Sequence, residues 1–153
     1  MGRFSQQRGK QGEQIARLQL QLLGVEMLEK IATPVRVIDR KFIRLPGRRI
    51  KEWWCRIVWG EKVSGDWRGV MPGGCRVLAE VKFTENGRLT WSTFEDHQRE
   101  ALTQNHELGA LSLVVWVTDY EPYVMRWPII GLKPRKGIGI EEAKAQQLRP
   151  GDL

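Results

Sequence analysis

Cysteine and histidine are scarce in this chain of 153 residues, which has two of each: Cys55, Cys75, His97 and His106. Two cysteines cannot form a disulfide framework, and with nothing that marks secretion they read as free thiols of a reducing compartment. So few soft ligands leave zinc chemistry without a ligand set. No run approaches the ~18 apolar residues of a membrane span, and no apolar leader opens the chain. A cytoplasmic or nucleoid-associated location is therefore expected, without a membrane partner. Gly2 in "MGRFSQ" suggests N-myristoylation, but Gln6 stands where that motif needs Ser or Thr. Acidic residues are also in deficit, with 18 Asp and Glu against 25 Lys and Arg and a net charge of +7. That balance favours a polyanionic partner, nucleic acid before an anionic surface.

The excess is unevenly spread. Between Arg36 and Lys62 nine basic residues face three acids, a local charge of +6 (9 − 3). The strings "VRVID", "KFIRL" and "IKEWWCRIVWGEKV" read there as two strands joined at "PGRR", a basic hairpin over about 36–62. Its Arg48, Arg49 and Lys51, interleaved with Trp53 and Trp54, suit phosphate tracking and stacking on exposed bases. Residues 1–11 carry Arg3, Arg8 and Lys10 with no acid and no apolar period, and read as a flexible basic arm. From Gly12 to about Ile31, apolar residues at three- and four-residue steps predict a helix that Pro34 ends.

Further along, "RVLAEVKF" alternates as a strand, with Leu78, Glu80 and Lys82 on one face and Val77, Ala79, Val81 and Phe83 on the other. Asn86-Gly87 signals a hairpin turn into "RLTW". Ser92 with Glu95 fits a capping box for a helix to about Leu108, stopped by Gly109. "ALSLVVWV" is an apolar run of buried-strand type, followed by the shorter strand "YVMRWP". Strand, helix and apolar strand in that order describe a parallel crossover. The expected fold class is α/β, with a central mixed sheet flanked by helices. The expected domain spans 12–132, and 133–153 form a tail with a short helix near 141–148 and a frayed end. Trp59, Trp116 and Trp127 read as core, while for Trp67 core and surface stay open.

Asp66 in "KVSGD" precedes Glu80 by thirteen intervening residues, and Lys82 follows two later. Two carboxylates and a backbone carbonyl suit Mg²⁺, which prefers oxygen ligands and retains water. A neighbouring ammonium can orient the attacking water or offset phosphate charge. The bland alternative, a surface Glu80–Lys82 ion pair, is weakened by the crossover, which places the strand centrally, where idle charges are costly. Arg68, beside Asp66, is placed to contact a phosphate.

Taken together, "GDWRGV", "GGCRVLAEVKF", "FEDHQREAL", "GALSLVVWV" and "YVMRWP" resemble the PD-(D/E)xK nuclease superfamily. Within it the chain is similar to the Holliday-junction resolvases of the RecU and archaeal types, over roughly Gly9–Pro128. Gly9 and Glu13 match the motif of the opening helix, Asp66 the acid, Glu80 and Lys82 the E-x-K pair, and His97-Gln98 the "HQ" of the crossover helix. The resemblance implies a restriction-endonuclease-like core. It also implies Mg²⁺, with Mn²⁺ as a substitute, held by Asp66, Glu80 and the Val81 carbonyl and completed by Glu13. Lys82 would assist the water and Gln98 would support Lys82 or the scissile phosphate. The implied activity is resolution of four-way DNA junctions by a homodimer, leaving 5′-phosphate and 3′-hydroxyl ends. The apolar faces of 12–31 and "LSLVVWV" are candidates for the dimer interface. Gln14 departs from the archaeal pattern, which has Arg there. A restriction-type or end-processing nuclease on the same core, and a non-catalytic basic DNA-binding module, remain the alternatives.

Overall fold

A computed structural model describes the backbone of residues 3–31, 35–44, 51–59 and 65–153, and the side chains of 10–31 and 65–153. The chain divides into two compact units, Met1–Ile31 with Ser64–Leu153, and Ala32–Val63. The larger unit opens with helix α1 (Arg3–Leu22) and strand β1 (Glu26–Lys30). The helix thus begins nine residues before the expected start at Gly12 and stops nine before the expected end at Ile31. Its early start corrects the flexible arm. Arg, Gln and Lys favour helix almost as well as Ala, and propensity extends a helix where no apolar stripe marks it.

The early stop has a local cause in Gly24. Its φ of +89° allows a left-handed turn. There the Val25 N–H reaches the Leu20 carbonyl and the Gly24 N–H the Gln21 carbonyl, both at 3.0 Å. This is a Schellman closure, and Leu20 and Val25 pack in the same core cluster to complete it. The apolar residues beyond Gly24, which imitate helical spacing, belong to a strand instead.

β4 (Trp67–Val70), β5 (Arg76–Thr84), β7 (Leu111–Thr118) and β8 (Glu121–Arg126) complete a five-stranded mixed sheet in the order β1-β4-β5-β7-β8. Helix α2 (Asp96–Glu107) makes the crossover, and β5 and β7 are parallel, with Glu80 opposite Val114. The expected α/β class is the one found. Alternation sorts the core: Val77, Ala79, Leu113, Val115 and Val117 pack with Ala16 and Leu20 of α1. Leu78, Val114 and Trp116 take the other face, with Leu102 of α2.

Three expectations change. β6 (Arg88–Thr90) pairs with β9 (Gly137–Gly139) rather than β5, because β4 and β7 already occupy both edges of β5. The α2 cap moves from Ser92 to Glu95, since Trp91–Thr93 form a separate 3-10 turn. The segment 133–153 is built into the unit rather than frayed. Besides β9 it forms helix α3 (Ile140–Ala145), and Leu148 donates its N–H to the Val124 carbonyl of β8 at 2.8 Å. Ile138 and Ala143 are buried in one core cluster, and Leu148 and Leu153 pack on the other.

β7 cannot serve as a dimer interface, because Ser112–Thr118 are buried inside the sheet. On α1, Leu18 and Leu22 are exposed while Ala16 and Leu20 face inward. Trp67, Trp116 and Trp127 are all buried. No described helix is long and apolar enough to cross a membrane.

The smaller unit, taken by itself, is an antiparallel ribbon of β2 (Val35–Arg44) and β3 (Lys51–Trp59), running from Val35 opposite Trp59 to Arg44 opposite Lys51. Arg48 and Arg49 lie outside the described residues, as do the side chains of Arg3, Arg8, Lys51, Trp53, Trp54, Cys55 and Trp59.

Replacing Gly24 with Ala forces a side chain into positive φ, a cost of about 1–2 kcal/mol. Urea unfolding should show a lower midpoint with an unchanged slope.

Candidate active site

Asp66 sits at the mouth of the β4–β5 hairpin, anchored through its backbone. Its N–H reaches the Ala79 carbonyl and its carbonyl accepts from Ile31, both at 2.9 Å. Its side chain then meets β5, where Oδ2 accepts the Val81 N–H at 2.7 Å. Gly65, with φ +86°, makes the turn possible; a Cβ there would lie 2.4 Å from Leu78 Cδ1. The Gly65 N–H lies close enough to the Glu80 carboxylate to lower its proton affinity. The Ser-Gly turn directly before the acid in "KVSGD" is the sequence signal of this tight approach.

Glu80 is 2% exposed, an acid buried in the middle of a sheet. Lys82 Nζ lies 2.9 Å from its Oε1. Gln98 links the two: its Nε2 donates to Glu80 Oε1, and its Oε1 accepts from Lys82 Nζ at 2.6 Å. Because Gln98 is the third residue of α2, its Oε1 also accepts the Glu95 N–H at 2.9 Å, capping the helix. Lys82 lies over the Phe94 ring, 5.2 Å from its centroid, which holds the ammonium against an apolar wall. His97 turns away, with Nδ1 3.5 Å from Glu95.

Glu13, on α1, is ion-paired with Lys30 of β1. Both are close enough to bear on Asp66, Glu13 raising its proton affinity and Lys30 lowering it. Lys30 is a neighbour of Asp66 that was missed in the sequence, because it lay in a stretch that read as helix. The structure therefore brings Asp66, Glu80, Lys82 and Gln98 together, with Glu13 beside them through Lys30. Among the described residues no three His, Cys, Asp or Glu side chains converge on one point. Of the expected DNA-contacting residues, Arg68 is on β4, exposed and paired with Glu29, and Lys10 is exposed on α1.

The electrostatics are those of an anion excess. Burial raises the Asp66 carboxyl above its usual range, and Glu13 adds to the rise against the Val81 N–H and Lys82. Burial and then the Asp66 charge lift Glu80 to about 7, against the pull of Lys82 and the Gly65 N–H. Two adjacent carboxylates with excess proton affinity, short of water, suit a hard divalent cation. The larger cavity of about 650 Å³, lined by Met71, Cys75, Leu111 and Trp127, lies where β5 and β7 begin and contains none of these groups.

No protein-family model and no curated protein sequence matches the chain. Among solved structures, Hjc of Archaeoglobus fulgidus, a Holliday junction resolvase from an archaeal hyperthermophile, superposes with a TM-score of 0.56. The match covers 90% of this chain and 93% of that one. The two chains share a fold. Sequence identity is 13%, so the likeness is one of architecture. The roles of Asp66, Glu80, Lys82 and Gln98 rest on the geometry above.

Glu80 gives a signed pH effect. An acid whose folded pKa is raised from 4.5 to about 7 holds more protons folded than unfolded in that window. Stability is therefore fully present below pH 4.5 and is lost as pH rises through 7. In metal-free buffer, wild-type stability should fall relative to Glu80→Gln by on the order of 3 kcal/mol between pH 4.5 and 8. Urea unfolding at stepped pH reads the difference, and a pH-independent gap would mean that the carboxylate charge is already compensated.

Proposed function

We propose that this chain is a metal-dependent endonuclease that resolves four-way DNA junctions by phosphodiester hydrolysis, acting as a homodimer. The observation that carries the reading is the buried Asp66–Glu80–Lys82–Gln98 assembly, set at the hairpin mouth of a fold shared with a junction resolvase. Asp66, Glu80 and the Val81 carbonyl would hold Mg²⁺ or Mn²⁺, with Glu13 joining them once separated from Lys30. Bound there, the cation would acidify a water and offset charge on the phosphate. The protein's own groups do the remaining work. Gln98 holds the Lys82 ammonium at Glu80, aimed at the place where the nucleophile and phosphate oxygens meet. Phe94 limits water around that ammonium, which strengthens its field.

The basic groups Arg3, Arg8, Lys10, Arg48, Arg49, Lys51 and Arg68 would bind the backbone of branched DNA. Symmetric resolution needs two cuts, which a two-fold dimer with two such sites provides.

The test uses a synthetic four-way junction, a linear duplex and a flap, each with Mg²⁺. Wild-type protein should cut the junction preferentially, and Asp66→Asn should lose at least about 100-fold in rate. Equal cutting of the linear duplex points to a restriction-type enzyme on the same core, and DNA binding without Mg²⁺-dependent cleavage to a binding module. Independently of turnover, Mg²⁺ should raise the wild-type melting temperature at pH 8 and leave Asp66→Asn unmoved. Replacing Arg48, Arg49 and Lys51 together with Ala should weaken junction binding and flatten its salt dependence by about three phosphate contacts.

A further inference from the structure

Beside the site lies a groove of about 500 Å³ with no part in the chemistry described above. It runs along the face of β1, β4 and β5 that also carries Glu80 and Lys82, and Asn105 of α2 borders it. The strand register fixes its composition. Arg68 of β4 stands opposite Leu78, two residues before Glu80 on β5, and Arg76 stands opposite Val70. Residues two apart on a strand share a face and are separated by about 7 Å. Arg76, Leu78, Glu80 and Lys82 therefore form one file, with Arg68 beside Leu78. Two guanidinium groups thus lead away from the buried carboxylates, about one and two such steps from Glu80.

The groove's floor is apolar, with Ile31, Val70 and Leu78, and its one carboxylate among the described lining residues is Glu29. Glu29 stands opposite Arg68 across β1 and β4. Nε and Nη2 of Arg68 both donate to the same Glu29 oxygen, at 2.9 and 2.7 Å. The pair is exposed on both sides, 67% for Arg68 and 61% for Glu29, the kind of ion pair that contributes little to stability. Arg76 is exposed and has no carboxylate partner among the described residues.

We propose that this groove is a track for one strand of the nucleic-acid substrate, in which Arg76 and Arg68 hold consecutive phosphodiesters next to the one being cut. Glu29 is the placeholder for the strand: it holds the Arg68 fork in the carboxylate geometry that a phosphate also offers, and yields it when the strand enters. The inference rests on the nuclease reading and adds to it the path of the substrate and a built-in competitor. An acid that competes with substrate has an unusual signature, since its removal improves binding.

The experiment measures binding of a fluorescent four-way junction by anisotropy, in Ca²⁺ without Mg²⁺, across a salt series. Glu29→Gln should tighten binding about 2- to 5-fold, the scale of releasing one exposed ion pair. Arg76→Ala and Arg68→Ala should each reduce the slope of log affinity against log salt by about 1. Misfolding cannot mimic the gain in Glu29→Gln, so that variant guards against a trivial loss in the other two. If wild-type protein cuts the junction with Mg²⁺ while Glu29→Gln binds no tighter, or both Arg slopes equal the wild-type slope, the track is overturned and the nuclease reading stands. If wild-type protein cuts no DNA at all, the nuclease reading fails and the track fails with it.

Discussion

A single carboxylate in the middle of a sheet dictates most of this molecule's construction. Glu80 has β4 on one side, β7 on the other and α2 across its face, so almost no water reaches it. An ionised group in such a place survives only if donors surround it. Lys82, Gln98 and the Gly65 N–H are those donors, and each comes from a different structural requirement. Lys82 is on the same strand face, Gln98 depends on where α2 begins, and Gly65 depends on a left-handed turn that only a residue without a side chain makes easily.

Because those donors still leave the pair Asp66–Glu80 with too much negative charge for its surroundings, the site is built at a cost to the fold. Asp66 raises the proton affinity of Glu80 beyond what burial alone does, and Glu13 does the same to Asp66. A structure optimised for stability alone would place hydrophobic residues on β5 at these positions, as β7 does at Val114 and Trp116. Keeping the acids is consistent with a site whose compensation arrives from outside the chain, and functional sites are where local rules are broken.

Much of this could be read before any coordinates. Glu80 and Lys82 were legible because strand alternation is a strict period of two, and Gln98 only through its match to the "HQ" of a known crossover helix, since the helix is capped at Glu95 rather than Ser92. Asp66 followed from the turn residues in front of it. Lys30 was illegible for a specific reason: Val25 and Leu28 continue the apolar spacing of α1, and only the backbone at Gly24 shows that the chain has left the helix. The β6–β9 pairing was equally hidden, since the Asn86-Gly87 turn is a local signal and the occupancy of both β5 edges is a global fact. Residues 133–153 read as a tail with a frayed end because their contacts are made one residue at a time, through Ile138, Ala143, Leu148 and Leu153.

Gln98 has a consequence for dynamics. Its Oε1 caps the first turn of α2 through the Glu95 N–H and receives Lys82 at the same atom. Fraying of that turn and loss of the Gln98 bridge between Lys82 and Glu80 are thus one event rather than two. The opening equilibrium of a helix end, ordinarily a property with no bearing on chemistry, sets here the fraction of molecules in which Gln98 bridges Lys82 and Glu80. Hydrogen exchange at the Glu95 amide would count that fraction directly.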